Sequence, residues 1–503
     1  MITRPDNLLK QRAPDKPQPF RNWLYKTVVR EKLLNLPGII LFLLTAVLIA
    51  YGITGIGTGF ILAILVLIVG LPIVYAIVFI PEFGILCMLV LAYFLLGIMR
   101  LGINFPLGTL MDGIELLLLI SIFIRKEKPE GWKILKDPVS IMIFIWVSYN
   151  IMEVANPAAS SVLAWLYTIR SVAIVMLMYF VFRYHIRSIA LVRIILRCWL
   201  FLAFLAALYA LKQEYFGFFS FETAWLNSDP NISDLLFIDG HWRKFSFMSD
   251  PVAFSYNMVT GSILAICMIG ATKKIWIKAG LVLLAGFLLF AMSFSGTRGA
   301  YVLIPVALFF YTILNFNKYV FAGAIITGLG LFVLIFMPTS NVTLYRFQSA
   351  FRPSQDASYL LRRANQEKIK PFIITHPLGG GLGATGTWGE RFAPDSFLAH
   401  FPPDSGYVRV AVELGWLGLL LFCTLMFVML RQSIRNLFRI RDPELKSYCL
   451  AMTLIIFVLN VGNYPQEALV QYPTSVYFYL VAAIAGICWQ LDKNMRTKNQ
   501  DGK

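Results

Sequence analysis

Three stretches of this chain set arginine among hydroxyls, glycines or carboxylates, a mixture suited to holding an anion. Arg243 stands in His241-Trp242-Arg243-Lys244-Phe245-Ser246-Phe247-Met248-Ser249-Asp250-Pro251. Arg298 stands in Ser293-Phe294-Ser295-Gly296-Thr297-Arg298-Gly299-Ala300-Tyr301. The third stretch, about 338–405, carries Arg362-Arg363 and then His376-Pro377-Leu378-Gly379-Gly380-Gly381-Leu382-Gly383, and it runs through Pro402-Pro403-Asp404-Ser405-Gly406-Tyr407 into an apolar span. A guanidinium is always charged and meets phosphate oxygens in bidentate geometry, so a phosphorylated ligand is the natural partner. The glycine run lacks a following Lys-Ser/Thr and a preceding strand; it reads as a tight turn at a membrane surface and not as a nucleotide phosphate loop. His376, before Pro377, reads as a ligand or base, or equally as a structural turn residue.

These stretches need elements to position them, and composition says which kind. Hydrophobic residues make up 58% of 503 and charged residues 14%, a balance that fits a polytopic membrane protein. Apolar stretches of spanning length number about fourteen, centred near residues 46, 69, 92, 115, 145, 170, 202, 261, 285, 308, 328, 419, 456 and 481. With the basic N-terminus inside, alternation puts 30 of the 44 Lys and Arg residues in the cytoplasm, as the positive-inside rule expects. The net charge of +17 is therefore a topology signal, and nucleic-acid binding is not expected. The expected organisation is a basic cytoplasmic tail over 1–36, a transmembrane bundle over 37–337 with an outer loop about 212–250, an outer active-site loop over 338–405, terminal transmembrane helices over 406–491, and a cytoplasmic tail over 492–503.

The same alternation places four segments outside: Lys212 to Asp250, the turn around Arg298, the long loop, and Asn463 to Tyr472. Arg243, Arg298, Arg362 and Arg363 thus lie on the side that normally avoids cations, where a lipid-linked phosphate would use them; snorkelling to headgroups is the plainer alternative. Arg170 falls deep in the sixth span and needs a carboxylate such as Asp112 or Glu115, or a polar cavity. The six cysteines lie within or beside apolar spans without paired spacing and read as small core residues. No outer loop carries an Asp-x-Asp pair, so no metal site or cofactor is expected and arginine is expected to do a metal's work on the leaving group. A many-helix transporter is a rival reading, with Arg170 its main support, but no internal repeat is visible. A non-catalytic assembly component is a second rival, which the arginine content of the loop disfavours.

Four motifs together carry a resemblance. They are Arg-x-x-x-Phe-x-x-Asp-Pro from Arg243, Ser-Gly-Thr-Arg-Gly-Ala around Arg298, the His-Pro-Leu-Gly-Gly-Gly-Leu-Gly run with Arg362 14 positions before its histidine, and Tyr407 followed by Glu413-Leu414-Gly415 and Gly418. In this order and on one side, over about residues 240–425, they resemble the O-antigen ligase and O-antigen (exopolysaccharide) polymerase family of membrane glycosyltransferases. The resemblance implies an all-α, GT-C-like bundle in the bacterial inner membrane with both termini cytoplasmic. It implies transfer or polymerisation of glycan from a polyprenyl-pyrophosphate-linked oligosaccharide donor, on the outer leaflet, to a glycan or lipid-linked acceptor, among membrane lipids and alongside a chain-length regulator. Arg243, Arg298 and Arg362 would then contact the pyrophosphate; Arg170, Arg363, His376 and Tyr407 are candidates for a supporting role. Family members often carry His-Asn before the tyrosine, the histidine being the candidate base. This chain has Asp404-Ser405 there, so either Asp404 or the nearby His400 takes the role.

Overall fold

The computed structural model describes residues 58–102, 107–124, 135–238, 240–340, 342–352 and 357–501, with isolated positions between 36 and 55. The expected N-terminal tail (except Leu36), most of the span centred on residue 46, and the basic stretch 125–134 lie outside the described residues. The chain divides into two units, Met1–Tyr75 and Ala76–Lys503. Helix α1 (Thr58–Phe79) crosses that division, and everything that follows belongs to the second unit.

Among its described residues the second unit is all-helical apart from one two-stranded ribbon. Its first half runs α2 (Pro81–Met99), α3 (Leu107–Ile124), α4 (Pro138–Met152), α5 (Val162–Val172), α6 (Met178–His185) and α7 (Ile189–Tyr215). Short outer helices α8 (Ser220–Leu226) and α9 (Pro230–Leu236) follow, with strands β1 (Phe237–Ile238) and β2 (His241–Trp242) paired antiparallel. Then come α10 (Pro251–Met268), α11 (Ile275–Ser293), α12 (Arg298–Leu314) and α13 (Lys318–Phe336). The long outer segment holds α14 (Val342–Ser349), α15 (Ala357–Thr375) and α16 (Gly386–Phe392), and the chain closes with α17 (Gly406–Arg439), α18 (Pro443–Gly462) and α19 (Thr474–Asp501). Every expected span centre from 69 to 481 falls inside one of these helices. Among the described residues, ten helical segments are long and apolar enough to cross a bilayer, while α12 and Ile68–Phe79 are apolar but shorter.

Three features differ from the expected layout. The sixth span is broken: α5 stops at Val172, a 3₁₀ turn covers Ile174–Leu177, and α6 resumes at Met178. Trp146 Nε1 donates to Val172 O at 3.3 Å, giving a carbonyl freed at the break a partner within the bundle. The expected loop 338–405 is built largely from α14–α16, because its polar sequence hides helices from a search for apolar spans; α15 holds strong helix formers such as Leu360, Leu361, Arg362, Arg363 and Ala364. The expected C-terminal tail continues α19 to Asp501, with Arg496 paired to Asp492 at 2.6 Å one turn earlier.

The core is formed by α10, α18 and α19, whose spanning segments are 78%, 72% and 78% buried, whereas α13 is 0% buried and turns its whole circumference outward. A helix apolar all round suits either a core or a lipid-facing position, and burial separates the two. Two pairs of buried polar groups tie the core helices together: Tyr93 donates to Asn257 Oδ1 at 3.1 Å, and Tyr256 donates to Gly462 O at 3.0 Å. This rigid centre holds the ends of α10, α12, α17 and α18 that carry the site.

Candidate active site

All four outer segments singled out in the sequence meet at one cavity of about 610 Å³. The first supplies Trp225, Arg243 and Asp250, the second Gly296–Gly299, the third Arg346, Arg362 and Asp404, and the fourth Pro465, Gln466 and Gln471. Arg243 is locked by three bonds: Nε to Ser295 O at 2.9 Å, Nη2 to Thr297 Oγ1 at 3.0 Å, and Nη1 to Leu235 O at 3.4 Å. Arg346 Nη2 donates to Ile238 O at 2.5 Å. Gly296 takes φ +59, and a Cβ there would lie 3.0 Å from Arg346 Nη1 and 3.6 Å from Arg243 Cγ, so this glycine lets two guanidinium groups come together. Burial pushes Arg243 down to about 10; Arg346, Arg298 and Arg362 add to that, while Asp250 opposes it. Cations gathered against their mutual repulsion mark a place where an anion is to arrive. Asp250 is otherwise occupied, capping α10 by accepting from Val252 N at 2.7 Å and Ala253 N at 2.9 Å.

Arg100, at the end of α2, braces the wall of this cavity. Its guanidinium lies 4.1 Å from the Trp225 ring and 4.3 Å from Phe245, and it donates to Ser249 O at 2.7 Å. Burial brings its pKa down to about 10, with Glu222, Asp250 and Tyr209 pulling the other way.

A second cavity of about 440 Å³ shares Asp404, Gln466 and Gln471 with the first and adds Thr168, Ser171, Thr387, Trp388, Arg409 and Glu467. Its geometry begins with the glycine run. Gly380 N donates to Val412 O and Gly381 N to Glu413 O, both at 2.9 Å, so the run lies along the first turns of α17. Gly415 interrupts that helix with φ +68, and a Cβ on it would sit 2.0 Å from Pro377 O. The Glu413 carboxylate accepts from Gly383 N at 3.0 Å and from Thr385 Oγ1 at 2.5 Å. Glu413 then holds Arg409 Nε at 3.1 Å, and Arg409 Nη1 holds Glu467 at 2.6 Å. Burial pushes the Glu467 carboxyl up from its ordinary value; Arg409 opposes this, and Glu413 and Asp404 reinforce it. Removing one member of such a buried network costs about 3–5 kcal/mol. Gly406 N donates to Asn463 O at 3.0 Å, and a Cβ at Gly406 would meet Asn463 Oδ1 at 2.3 Å. That close approach sets Asp404 beside the loop that carries Gln466 and Glu467.

Residues 279–423 match the family model for O-antigen ligase. Over this stretch the chain is similar to O-antigen ligases. No curated protein matches the chain. The matched stretch contributes Arg298, Arg346, Arg362, Asp404 and the whole glycine–Glu413–Arg409 unit, while Arg243 and Glu467 come from either side of it. The match supports a glycosyltransferase-like membrane enzyme of surface polysaccharide synthesis.

Against that matched stretch, the residues singled out in the sequence fall into two groups. Arg243, Arg298, Arg362 and Asp404 line one cavity. The others do not line it. His400 is exposed, its Nε2 2.8 Å from Pro394 O. His376 stacks on Phe372 with centroids 4.0 Å apart and places Nδ1 3.0 Å from Phe372 O, the structural turn role. Tyr407 donates to Asn460 O at 3.1 Å inside the bundle. Arg363 pairs with Glu367 on the surface at 3.1 Å, a contact worth about 0–1 kcal/mol. Arg170 meets Asp112 at 2.5 Å, one of the two partners its position called for. Arg346 and Glu467 escaped the sequence reading. Both lie in segments already assigned to the outer face, and the rule that drew attention to Arg362, a cation on the wrong side, applies equally to Arg346.

Proposed function

We propose that the protein is a metal-independent membrane glycosyltransferase of surface polysaccharide synthesis, taking its glycan from a polyprenyl-pyrophosphate donor at the outer leaflet of the bacterial inner membrane. The observation that carries this reading is the convergence of Arg243, Arg298, Arg346 and Arg362 on one cavity beside Asp404. The pyrophosphate lies among the four guanidinium groups, which meet the charge that grows on the leaving group. An acceptor hydroxyl oxygen attacks the anomeric carbon, the bond from that carbon to the pyrophosphate oxygen breaks, and the bonding pair departs with polyprenyl pyrophosphate. The hydroxyl proton passes to the Asp404 carboxylate, which takes the place held by histidine in many relatives; Glu467, next to it, keeps Arg409 oriented. A weak carboxylate base suffices because the leaving group carries most of the driving force. About fourteen spans with both termini cytoplasmic put the cavity on the outer side.

The test is to incubate purified protein with a polyprenyl-pyrophosphate-linked oligosaccharide, with and without a second lipid-linked acceptor. Release of polyprenyl pyrophosphate together with a lengthened or transferred glycan is expected. Donor moved across a vesicle membrane with its pyrophosphate linkage intact would replace this reading with transport.

A further inference from the structure

We propose that the smaller cavity is an acceptor subsite for an uncharged, polyhydroxylated sugar, with Trp388 as its stacking face; this rests on the glycosyltransferase reading. Its lining has the chemistry of a carbohydrate site: the hydroxyls of Thr168, Ser171 and Thr387, the amides of Gln466 and Gln471, and one indole. Such a ring gives the apolar face of a pyranose a flat surface, and the amides and hydroxyls meet its edge. Trp388 is held in place before any ligand arrives. It is half-buried on α16, and its ring stacks against Tyr167 of α5 at 4.7 Å, as does Phe392 one turn later at 5.2 Å. An aromatic fixed in this way loses little entropy on binding.

Two further observations point to a sugar and to its charge. Thr168 is 1% exposed, and among the described residues its Oγ1 has no hydrogen-bond partner although the residue lines this cavity. Buried hydroxyls are nearly always satisfied, so this one has a role for a ligand hydroxyl to fill. Among the described residues Arg409 is the only cation in the lining and is already shared between Glu413 and Glu467, and Asp404 and Glu467 both face the space. Arg391 lies 6.0 Å from the Trp388 ring but is not part of the lining. An anionic sugar would meet carboxylates here, whereas the adjoining cavity, with four arginines, is where negative charge belongs. The shared wall of Asp404, Gln466 and Gln471 places a sugar hydroxyl in the smaller cavity next to the carboxylate and the donor.

The experiment uses the full chain in nanodiscs of phosphatidylethanolamine and phosphatidylglycerol. Saturation-transfer NMR reads binding of neutral methyl glycosides (glucoside, galactoside, mannoside, rhamnoside and N-acetylglucosaminide) and of methyl glucuronide, while calorimetry reads inorganic pyrophosphate. At least one neutral glycoside should bind more tightly than the glucuronide. Trp388→Ala should weaken it by about tenfold and Trp388→Phe by about threefold or less, on the scale of one aromatic contact. Thr168→Val should also weaken it, and Glu390→Ala, on the exposed side of the same helix, should leave it unchanged. Pyrophosphate binding should survive both Trp388 changes. Binding of no neutral glycoside, unchanged binding in Trp388→Ala, or preference for the glucuronide would overturn the proposal. If Trp388→Ala loses both ligands through misfolding, Trp388→Phe and Thr168→Val decide: an unaltered glycoside affinity in Thr168→Val sinks the subsite. Pyrophosphate that fails to bind the wild type, or binds Arg298→Ala as well, would refute the donor reading instead.

Discussion

On one side of Asp404, Gln466 and Gln471 the protein presents four arginines drawn from three separate outer segments, of which Arg243 and Arg346 are held by backbone carbonyls and a threonine hydroxyl. On the other side it presents a single arginine, already shared by two carboxylates, among hydroxyls and a tryptophan. The two sides are also built differently. The arginines are single side chains on separate elements (Arg243 just after β2, Arg298 at the start of α12, Arg346 on α14 and Arg362 on α15), so each can be replaced while its element persists. The carboxylates belong to a knot in which the glycine run, the break at Gly415 and Glu413 are packed at backbone distance. Charge that must move during a reaction is met by the first kind of construction, and geometry that must not move is kept by the second.

Removing a cation should break the comparison most forcefully. Arg298→Ala or Arg346→Ala is expected to lower glycan transfer by about 10²–10³-fold, the scale of losing one preorganised donor to a developing charge. Lysine should rescue poorly, because a point charge does not reproduce the fork. Initial rates on a lipid-linked donor measure this, and a chelator should leave the wild-type rate unchanged. Full activity in Arg346→Ala would remove that residue from the cationic side.

Next in size is the boundary between the two sides. Asp404→Asn should lower turnover by about 10²-fold with donor binding intact, whereas His400→Gln should stay within about twofold, since surface changes are usually near neutral. The reverse result across a pH series would move the proton acceptor to the loop histidine. A change in the knot should act on the fold instead of the rate. Gly415→Ala places a Cβ 2.0 Å from Pro377 O at φ +68, which costs about 1–3 kcal/mol for the backbone alone. Less folded protein in a detergent melt is expected, with near-normal turnover per folded molecule; an unchanged melt would mean the helix break is not fixed by that glycine.

The same contrast explains what could be read from the sequence. Spans were legible because a bilayer demands long apolar runs, so each centre from 69 to 481 falls in a helix. Arg243, Arg298 and Arg362 were legible because cations on the outer face contradict the charge rule followed by the rest of the chain. The helices of the long loop were hidden, since a polar helix such as α15 has no apolar run to announce it. Glu467 was hidden for another reason. Its importance comes from Arg409, which is 58 residues away and reaches it only after α17 and α18 have folded into a hairpin. A lone acid in a short loop carries no such sign.

The rate loss at that acid should be smaller than at an arginine or at Asp404, and pH separates it from Asp404. Burial raises the Glu467 carboxyl above its ordinary value of 4.5, against the pull of Arg409 and with help from Glu413 and Asp404. The folded protein therefore binds this proton more readily than the unfolded chain does. The resulting stabilisation is fully present below the unfolded carboxyl value and is lost as pH rises through the raised folded value. Activity runs the other way. Transfer needs Glu467 ionised, so that Arg409 stays oriented toward it, and the rate should fall as pH drops through the raised value, earlier than an ordinary carboxylate would allow. Glu467→Gln should lower the plateau rate by about tenfold, equivalent to about 1.4 kcal/mol, and should flatten that acid limb while donor affinity holds. It should also remove the loss of thermal stability with rising pH. An acid limb that persists unchanged in Glu467→Gln would assign it to another group in the cluster, and Glu467 would then be a brace for Arg409 whose ionisation the reaction does not sense.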